Sequence, residues 1–271
     1  MRVLRDLEYC RVDGRPLLLD LYLPTGAGRR RPAVLWVHGG GWQGGSREDA
    51  MVPLWLVGRG YAVASLDYRL SGEAVFPAQI EDCKAAVRWL RAQAVRYHLD
   101  PERIGAWGIS AGGHLAALLG TTGDVKELEG HGGHLEFSSR IQAACVYCGP
   151  TDFLQMLPLR GRELFDLTIS VMAALIGGPL EENEDKVARA NPVTYVTPDD
   201  PPFLIMNGDA DPLVPPGQAE VLYRALRKAG VEAALHIIEG GGHIFFSSET
   251  DRLVEEFFNK HLKGTEEPFQ A

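Results

Sequence analysis

The stretch Trp107-Gly108-Ile109-Ser110-Ala111-Gly112-Gly113 decides the fold. Residues 103–107 before it have the pattern of a short buried strand, and residues 114–119 after it begin a helix. A Gly-x-Ser-x-Gly sequence between a strand and a helix is typical of a sharp, strained turn that exposes the serine hydroxyl. Side chains at positions 108 and 112 would collide with the neighbouring strand or helix. Ser110 would then lie at a helix N-terminus, where backbone N–H groups favour negative charge.

The motif alone is a weak signal in a chain with 31 glycines, so the rest of the sequence must support it. The 271 residues are 45% hydrophobic and 23% charged, which suits one domain, 1–271, with a large core. A net charge of −9 argues against a nucleic-acid partner. No apolar run reaches the roughly 18 residues of a membrane helix. Residues 1–10 lack the apolar core of a secretory signal, so we expect no membrane partner and a cytoplasmic protein.

Two pairs of residues have spacings that could suggest metal or redox chemistry. Cys145 and Cys148 have the C-x-x-C spacing but lie in a strand-like run, where their side chains would diverge. His131 and His134 lie in a polar segment without an evident third ligand. Four cysteines in a chain this long do not make a disulfide framework. We therefore predict no metal and no cofactor.

Strand and helix patterns alternate along most of the chain. Asp13-Gly14 predicts a hairpin between residues 8–11 and 17–23. Further strands are predicted at 33–37, 61–66, 141–147, 203–206 and 233–238, with helices at 52–59, from Pro77 to about His98, at 218–228 and at 251–262. Asp100-Pro101 is expected to form the turn into the strand that carries Ser110. Alternation of this kind predicts a mostly parallel sheet with helices on both faces.

Two stretches interrupt the alternation. Thr121–Arg140 is rich in glycine and charge and reads as a loop, whereas Phe153–Asn191 contains an apolar helical segment at Leu164–Ile176. The segment leaves the sheet after the carboxyl end of a strand, so it should overhang the site as a small lid. A packing helix or a dimer contact explains it equally well, and a homodimer stays an open expectation. The polar tail from Gly264 is expected to fray.

A serine nucleophile needs a base to take its proton and an acid to orient that base. On a strand–turn–helix of this type the partners follow in the order Asp or Glu, then His. Asp211 and His243 each follow a predicted strand, so adjacent loops can bring them together. We prefer Asp211 to Asp209 because its Asp-x-x-Val sequence fixes it in a turn, while Asp209 suits local backbone hydrogen bonds.

Backbone N–H groups must stabilise the oxyanion of an acyl-transfer reaction. Ala111, which follows the nucleophile, supplies one donor. His38-Gly-Gly-Gly41 supplies consecutive N–H groups, of which we expect Gly40 and Gly41 to donate rather than Trp42. The loop lacks the features of a phosphate-binding glycine motif. Trp42 and Tyr68 are candidates for the substrate wall, although aromatic residues at these positions suit the core equally well.

Seven motifs can be compared with known families, and the similarity that they carry covers roughly Leu17 to Leu262. They are His38-Gly-Gly-Gly41-Trp42, Asp67-Tyr68-Arg69, Asp100-Pro-Glu-Arg-Ile104, Gly108-Ile-Ser-Ala-Gly-Gly113, Pro201-Pro-Phe203, Asp211-Pro-Leu-Val214 and Gly242-His243. Together they resemble the carboxylesterases of the α/β-hydrolase superfamily, in particular the hormone-sensitive-lipase-like esterases and the acetyl-xylan and feruloyl esterase-like group. The resemblance implies a nucleophile at Ser110, an acid at Asp211, a base at His243 and oxyanion donors around Gly40, Gly41 and Ala111.

The sequence departs from this pattern in two places. Asn207 stands where such sequences often have histidine, and we interpret it as structural. The N-terminal cap of the larger lipase-like members has no counterpart before the hairpin, which favours an open site for short acyl groups. We therefore expect a serine carboxylesterase with a small-molecule ester as its partner, including acetyl or feruloyl esters of carbohydrates. An amide-bond hydrolase such as an arylformamidase or a small peptidase, and a non-catalytic binding module, are the alternatives.

Overall fold

The strands of this protein form one eight-stranded sheet in a computed structural model that describes residues 1–26, 30–159, 161 and 163–264. The strands are β1 (Arg2–Val12), β2 (Arg15–Leu23), β3 (Arg31–Val37), β4 (Ala62–Leu66), β5 (Leu99–Ile109), β6 (Ala143–Tyr147), β7 (Phe203–Gly208) and β8 (Ala233–Ile238). Their order across the sheet is β1-β2-β4-β3-β5-β6-β7-β8. The six strands β3 to β8 run parallel to one another, whereas β2 is antiparallel to both of its neighbours, β1 and β4. The predicted sheet is confirmed.

The N-terminal hairpin closes through Asp13 and Gly14, whose φ angles are +49° and +83°. Positive φ at both central residues matches a type I′ turn, whose twist suits paired antiparallel strands. β2 then pairs with β4 and joins the hairpin to the parallel part of the sheet.

Helices cover both faces of the sheet. They are α1 (Trp55–Gly58), α2 (Ala78–Ala92), α3 (Ala94–Tyr97), α4 (Ala111–Thr121), α5 (Glu163–Ile176), α6 (Glu184–Ala190), α7 (Gly217–Ala229) and α8 (Ser248–Phe258). The strand β3 shows how the two faces arise, because Leu35 lies in one hydrophobic cluster and Trp36 in the other. The first cluster contains buried residues of α2, α4, α5 and α7, and the second those of α1 and α8.

Three predicted boundaries are wrong. The helix predicted at 52–59 is a single turn at Trp55–Gly58. The helix predicted from Pro77 to His98 is divided into α2 and α3, and it ends where His98 adopts a left-handed conformation. Strand β5 begins at Leu99, so Asp100-Pro101 lies inside an irregular start of the strand rather than in a turn.

The glycine-rich segment 122–140 is held by three buried cations on α2. Lys84 donates to the carbonyl of Thr122 at 2.5 Å and to Glu129 at 2.7 Å, and Arg88 contacts Glu129 at 2.6 Å. Arg88 also donates to the backbone carbonyls of Glu129, Gly132 and Gly133. Arg91, the third cation, donates to the backbone carbonyls of Pro101, Ser138 and Arg140. Because these cations satisfy buried carbonyls, the segment can stay irregular and still pack closely.

The segment 153–191 follows β6 and includes α5 and α6. The stretch Glu163–Glu182 is long and apolar enough to cross a membrane by length and composition, with a mean hydropathy of 1.4. Its α-helical part ends at Ile176, however, and covers about 21 Å, which is short of the roughly 30 Å of a bilayer core. The buried side chains of Met172, Leu175 and Ile176 pack into the core.

The predicted fraying of the tail falls on residues 265–271, which lie outside the described residues.

Candidate active site

Ser110 lies on a strained turn between β5 and α4. Its φ and ψ angles are 56° and −121°, a backbone conformation that residues other than glycine rarely adopt. The Ser110 N–H donates to the Tyr147 carbonyl at 2.9 Å, which fixes the turn to β6. A Cβ atom at Gly108 would overlap the Gly112 carbonyl, and one at Gly112 would overlap the Val37 carbonyl. Both glycines are therefore required by close backbone contacts.

Asp211 is held rigidly in the loop after β7. One carboxylate oxygen, Oδ1, accepts the N–H groups of Leu213 at 2.8 Å and Val214 at 2.9 Å. Asn207 supports the same loop by donating to the Val214 carbonyl at 3.0 Å, which agrees with its interpretation as a structural residue. Asp209, by contrast, is exposed. These bonds leave Oδ2 of Asp211 free to accept from another group.

His243 occupies that position. Its Nδ1 atom lies 2.8 Å from Oδ2 of Asp211, whose side chain is fully buried. The loops that carry the two residues are joined by hydrogen bonds from the Ala210 N–H to the Gly241 carbonyl at 2.9 Å and from the Asp209 N–H to the Ile238 carbonyl at 3.1 Å. With Nδ1–H donated to the carboxylate, Nε2 carries the lone pair that a general base needs.

Ser110 and His243 face one cavity of about 340 Å³, which Gly40, Gly41 and Ala111 also line. The structure therefore brings together five of the predicted catalytic and oxyanion-hole residues around one cavity, while Asp211 lies behind His243. The volume is near the lower end of the range of about 300–1,000 Å³ that small-molecule pockets occupy.

The glycine loop after β3 lines the cavity with Gly39, Gly40 and Gly41. Gly40 and Gly41 have φ angles of +106° and +59°. The Gly40 carbonyl accepts the Gln43 N–H at 3.0 Å and the Gly44 N–H at 3.1 Å, which closes the loop into a tight turn. Within the described ranges, the N–H groups of Gly40 and Gly41 donate to no protein acceptor. The N–H of Ala111 is in the first turn of α4 and has no partner inside the helix.

The two candidate wall residues have different positions. Trp42 lines the cavity as expected, with its ring edge-on to His114 at a centroid distance of 5.1 Å. Tyr68 does not line the cavity. Its ring stacks on His38 at 4.3 Å, and its hydroxyl donates to the His38 carbonyl at 3.1 Å. Tyr68 therefore supports the glycine loop from beneath, and the interpretation of this residue as a substrate wall needs that correction.

Two buried histidines next to the glycine loop are held in the neutral form. Burial lowers the pKa of His38 below its usual range. Burial also lowers the pKa of His114 to about 4, against a weaker opposing effect of its hydrogen bond with the Ala190 carbonyl at 2.7 Å. Burial therefore disfavours the protonated form at both positions.

Cys148 lies behind the histidine, a position that the sequence analysis did not predict because it considered this residue only as half of a C-x-x-C pair. Its thiol donates to the His243 carbonyl at 3.3 Å and fixes the loop after β8 to the end of β6. Its only sequence signal is its place directly after a buried strand that neighbours Ser110. Cys145 and Cys148 are both free thiols.

Ligand atoms of Cys148, Asp211 and His243 lie within 4.8 Å of one another, a spacing that a metal site could use. Asp211 and His243 are already bonded to each other, and burial raises the pKa of Cys148 well above its usual range. A metal would need the thiolate. The arrangement therefore fits an oriented histidine better than a metal site. Among the described residues, His131 and His134 belong to no such group of three ligands.

Comparison with known proteins shows that this chain is similar to several esterases. The BD-FAE family model matches residues 19–226. Esterase LipQ from Mycobacterium tuberculosis is 32% identical over 256 residues, which cover 92% of this chain and 59% of LipQ. A truncated carbohydrate esterase from gut microbiota has a TM-score of 0.88 and 31% identity, with 97% of both chains covered. Esterase 2 from Thermogutta terrifontis, solved after phosphoramylation by tabun, has a TM-score of 0.75 and 28% identity, with 94% of this chain and 93% of that chain covered.

The sheet, the serine turn and the oriented histidine define an α/β-hydrolase of the carboxylesterase type, in the hormone-sensitive-lipase-like group. Within that class, the chain belongs to the BD-FAE family. The chain covers only 47% to 59% of the length of three curated relatives, LipQ, LipM and LipC of Mycobacterium tuberculosis.

Proposed function

We propose that this protein is a serine carboxylesterase that hydrolyses short-chain acyl esters through an acyl-enzyme. The observation that carries the proposal is the bond between His243 and Asp211 beside a cavity that also holds Ser110 and the N–H groups of the glycine loop. The names of the similar proteins support ester hydrolysis, and the carbohydrate esterase from gut microbiota supports including acetyl and feruloyl esters of carbohydrates among the test substrates.

In the first half of the reaction, Nε2 of His243 takes the proton of Ser110 as Oγ attacks the carbonyl carbon of the ester. The carbonyl oxygen becomes negative and accepts the N–H groups of Gly40, Gly41 and Ala111, which are already in place. Asp211 keeps His243 oriented and stabilises its protonated form. His243 then gives the proton to the leaving alcohol oxygen as the carbon–oxygen bond breaks, and the acyl-enzyme remains.

In the second half, water replaces the alcohol. His243 takes a proton from the water, whose oxygen attacks the acyl carbon, and the same N–H groups stabilise the second oxyanion. The intermediate collapses, Ser110 receives the proton, and the carboxylic acid leaves. Each half uses the same base and the same donors, so the mechanism needs no cofactor.

The test is turnover of p-nitrophenyl acetate, butyrate and hexanoate by the wild-type protein and by Ser110→Ala. We expect Ser110→Ala to lower kcat by about 10⁶ while the thermal unfolding temperature stays close to that of the wild type. Ser170→Ala, on the exposed side of α5, is the matched control and should keep full activity. A fluorophosphonate should label the wild type and leave Ser110→Ala unlabelled.

A parallel panel of formyl and peptide amides separates ester from amide hydrolysis. Faster turnover of the amides would replace the proposed activity with that of an amidase on the same fold. No turnover of any activated ester, together with no fluorophosphonate labelling, would make the protein a non-catalytic binding module.

A further inference from the structure

Two large apolar side chains at the mouth of the catalytic cavity are unusually exposed. Leu167 on α5 and Ile244, directly after His243, both line the cavity, and each has 55% of its surface exposed. They belong to different parts of the chain and line the same cavity. Exposed apolar residues that cluster at a concave site mark a surface that a ligand covers.

The position of Ile244 relates this surface to one part of the substrate. His243 must give its proton to the leaving alcohol oxygen, so the alcohol group departs on the side of His243. Ile244 follows His243 in the chain, and Leu213 follows Asp211 by two residues; both line the cavity. The alcohol therefore leaves along an apolar wall.

The polar groups of the cavity lead to the same conclusion. Apart from Ser110 and His243, the described side chains that line the cavity carry two polar groups, the Thr168 hydroxyl and the indole N–H of Trp42. The indole N–H is buried inside the protein, away from the apolar wall at Ile244 and Leu213. The Thr168 hydroxyl already donates to the Leu164 carbonyl at 3.0 Å. Sugar hydroxyls brought to this wall would lose water without gaining hydrogen-bond partners, and each unpaired group carries a penalty.

We infer that Leu167 and Ile244 form an apolar clamp for the alcohol part of the substrate, and that this esterase prefers esters of alkyl or aryl alcohols to esters of sugars. The inference rests on the proposed esterase activity and specifies its substrate class. The chain thereby differs from what the names of its carbohydrate-esterase neighbours suggest.

The test compares two acetates whose leaving alcohols have similar reactivity: benzyl acetate and a singly acetylated methyl xyloside, both followed by acid release in a pH-stat. We expect kcat/KM of the wild type to be at least about tenfold higher for benzyl acetate, the effect of one unpaired hydroxyl group. Turnover of p-nitrophenyl acetate is measured in parallel, because its activated aryl leaving group reports whether the protein hydrolyses esters at all.

Leu167→Asn and Ile244→Asn test the clamp itself. Each should lower kcat/KM for benzyl acetate by about fivefold to tenfold and change the value for the xyloside by less than about twofold, because only the apolar alcohol covers these side chains. Leu164→Asn is the matched control. Leu164 is on the same helix and is 44% exposed, but it does not line the cavity, so both rates should stay unchanged.

Equal or faster hydrolysis of the xyloside by the wild type would overturn the inference and leave the esterase activity intact. The same conclusion would follow if Leu167→Asn and Ile244→Asn behaved like Leu164→Asn. Loss of p-nitrophenyl acetate turnover in the wild type would instead remove the proposed function, and the inference with it.

Discussion

Oδ2 of Asp211 lies 2.8 Å from Nδ1 of His243, while Oδ1 of the same carboxylate accepts two backbone N–H groups. The carboxylate is thus held from one side by its own loop and holds the imidazole from the other. This geometry fixes both the tautomer and the orientation of His243, which is what general-base catalysis by histidine requires.

Replacing this carboxylate should abolish nearly all activity without unfolding the protein. In Asp211→Asn the amide cannot accept from Nδ1–H in the same way, so we expect kcat for p-nitrophenyl acetate to fall by about 10⁴. Asp209→Asn is the matched control two residues earlier, and its exposed side chain should be dispensable. A larger loss in Asp209→Asn than in Asp211→Asn would reverse the assignment of the acid.

Gly40→Ala should reduce catalysis by disturbing the oxyanion donors. A Cβ atom at Gly40 would overlap the Gly44 carbonyl, so the loop would have to open and its N–H groups would turn away. We expect kcat to fall by about 10² to 10³. Gly26→Ala is the control for backbone strain, since Gly26 has nearly the same φ, +107° against +106°, and no atom within 4 Å of its Cβ. Similar kcat values for the two variants would argue against a donor role for this loop.

The stability of the protein should fall below neutral pH through His114. Its folded-state pKa is about 4, whereas an unfolded histidine titrates near 6.5, so the unfolded chain binds a proton that the folded protein does not. The stabilisation by the neutral form is therefore lost progressively as the pH falls from about 6.5 towards 4. Between pH 7 and pH 5 this contribution amounts to about 2 kcal/mol.

The variant His114→Gln does not titrate and keeps a donor for the Ala190 carbonyl. Its free energy of unfolding, measured with urea at both pH values, should decrease by about 2 kcal/mol less than that of the wild type. Equal pH dependence of the two proteins would show that His114 is not the group responsible.

Glu129→Gln should destabilise the protein through the buried cations of α2. Lys84 and Arg88, each with only 1% of its side chain exposed, would lose their shared carboxylate. We expect a loss of about 3 kcal/mol in the free energy of unfolding, at the lower end for a broken buried pair because Glu129 is partly exposed. Glu127→Gln, on the exposed side of the same segment, should change the stability by less than about 0.5 kcal/mol. Comparable losses in the two variants would contradict a special role for Glu129.

Removal of metal ions should not affect turnover. The proposed reaction uses only Ser110, His243, Asp211 and backbone N–H groups, so dialysis against EDTA should leave kcat and KM unchanged. A loss of rate that zinc or another divalent ion restores would show that a metal takes part.

The sequence predicted the candidate site well because each catalytic residue follows a strand, and the carboxyl ends of parallel strands meet at one edge. That prediction depended on two features of the sequence: the sharp turn at Ser110, and the order of Ser110, Asp211 and His243 along the chain. Tyr68 was harder to assign, since a sequence pattern does not distinguish an aromatic ring in the cavity wall from one beneath it. The position of Cys148 was not predicted because its role depends on a contact between two loops 95 residues apart.

The fold was predicted at the level of elements, and its errors fall where tertiary contacts override local preference. The pattern of 52–59 suited a helix, but only one turn formed. The sequence analysis assigned no role to Lys84 and Arg88 on α2, but the segment 122–140 folds over them and supplies a carboxylate and backbone carbonyls. Burial of paired charges of this kind leaves no periodic trace in a sequence.

The hydrogen bonds between the loops after β7 and β8 have a consequence for how the enzyme can be tuned. Because Ala210 and Asp209 are tied to Gly241 and Ile238, the acid and the base shift as one rigid unit. Ser110 follows β5, which is two strands from β7, and the end of β6 joins the two sides through the bonds of Tyr147 with Ser110 and of Cys148 with His243. A distant substitution that displaces this pair relative to Ser110 should therefore change the rate, because it alters the spacing between the base and the nucleophile.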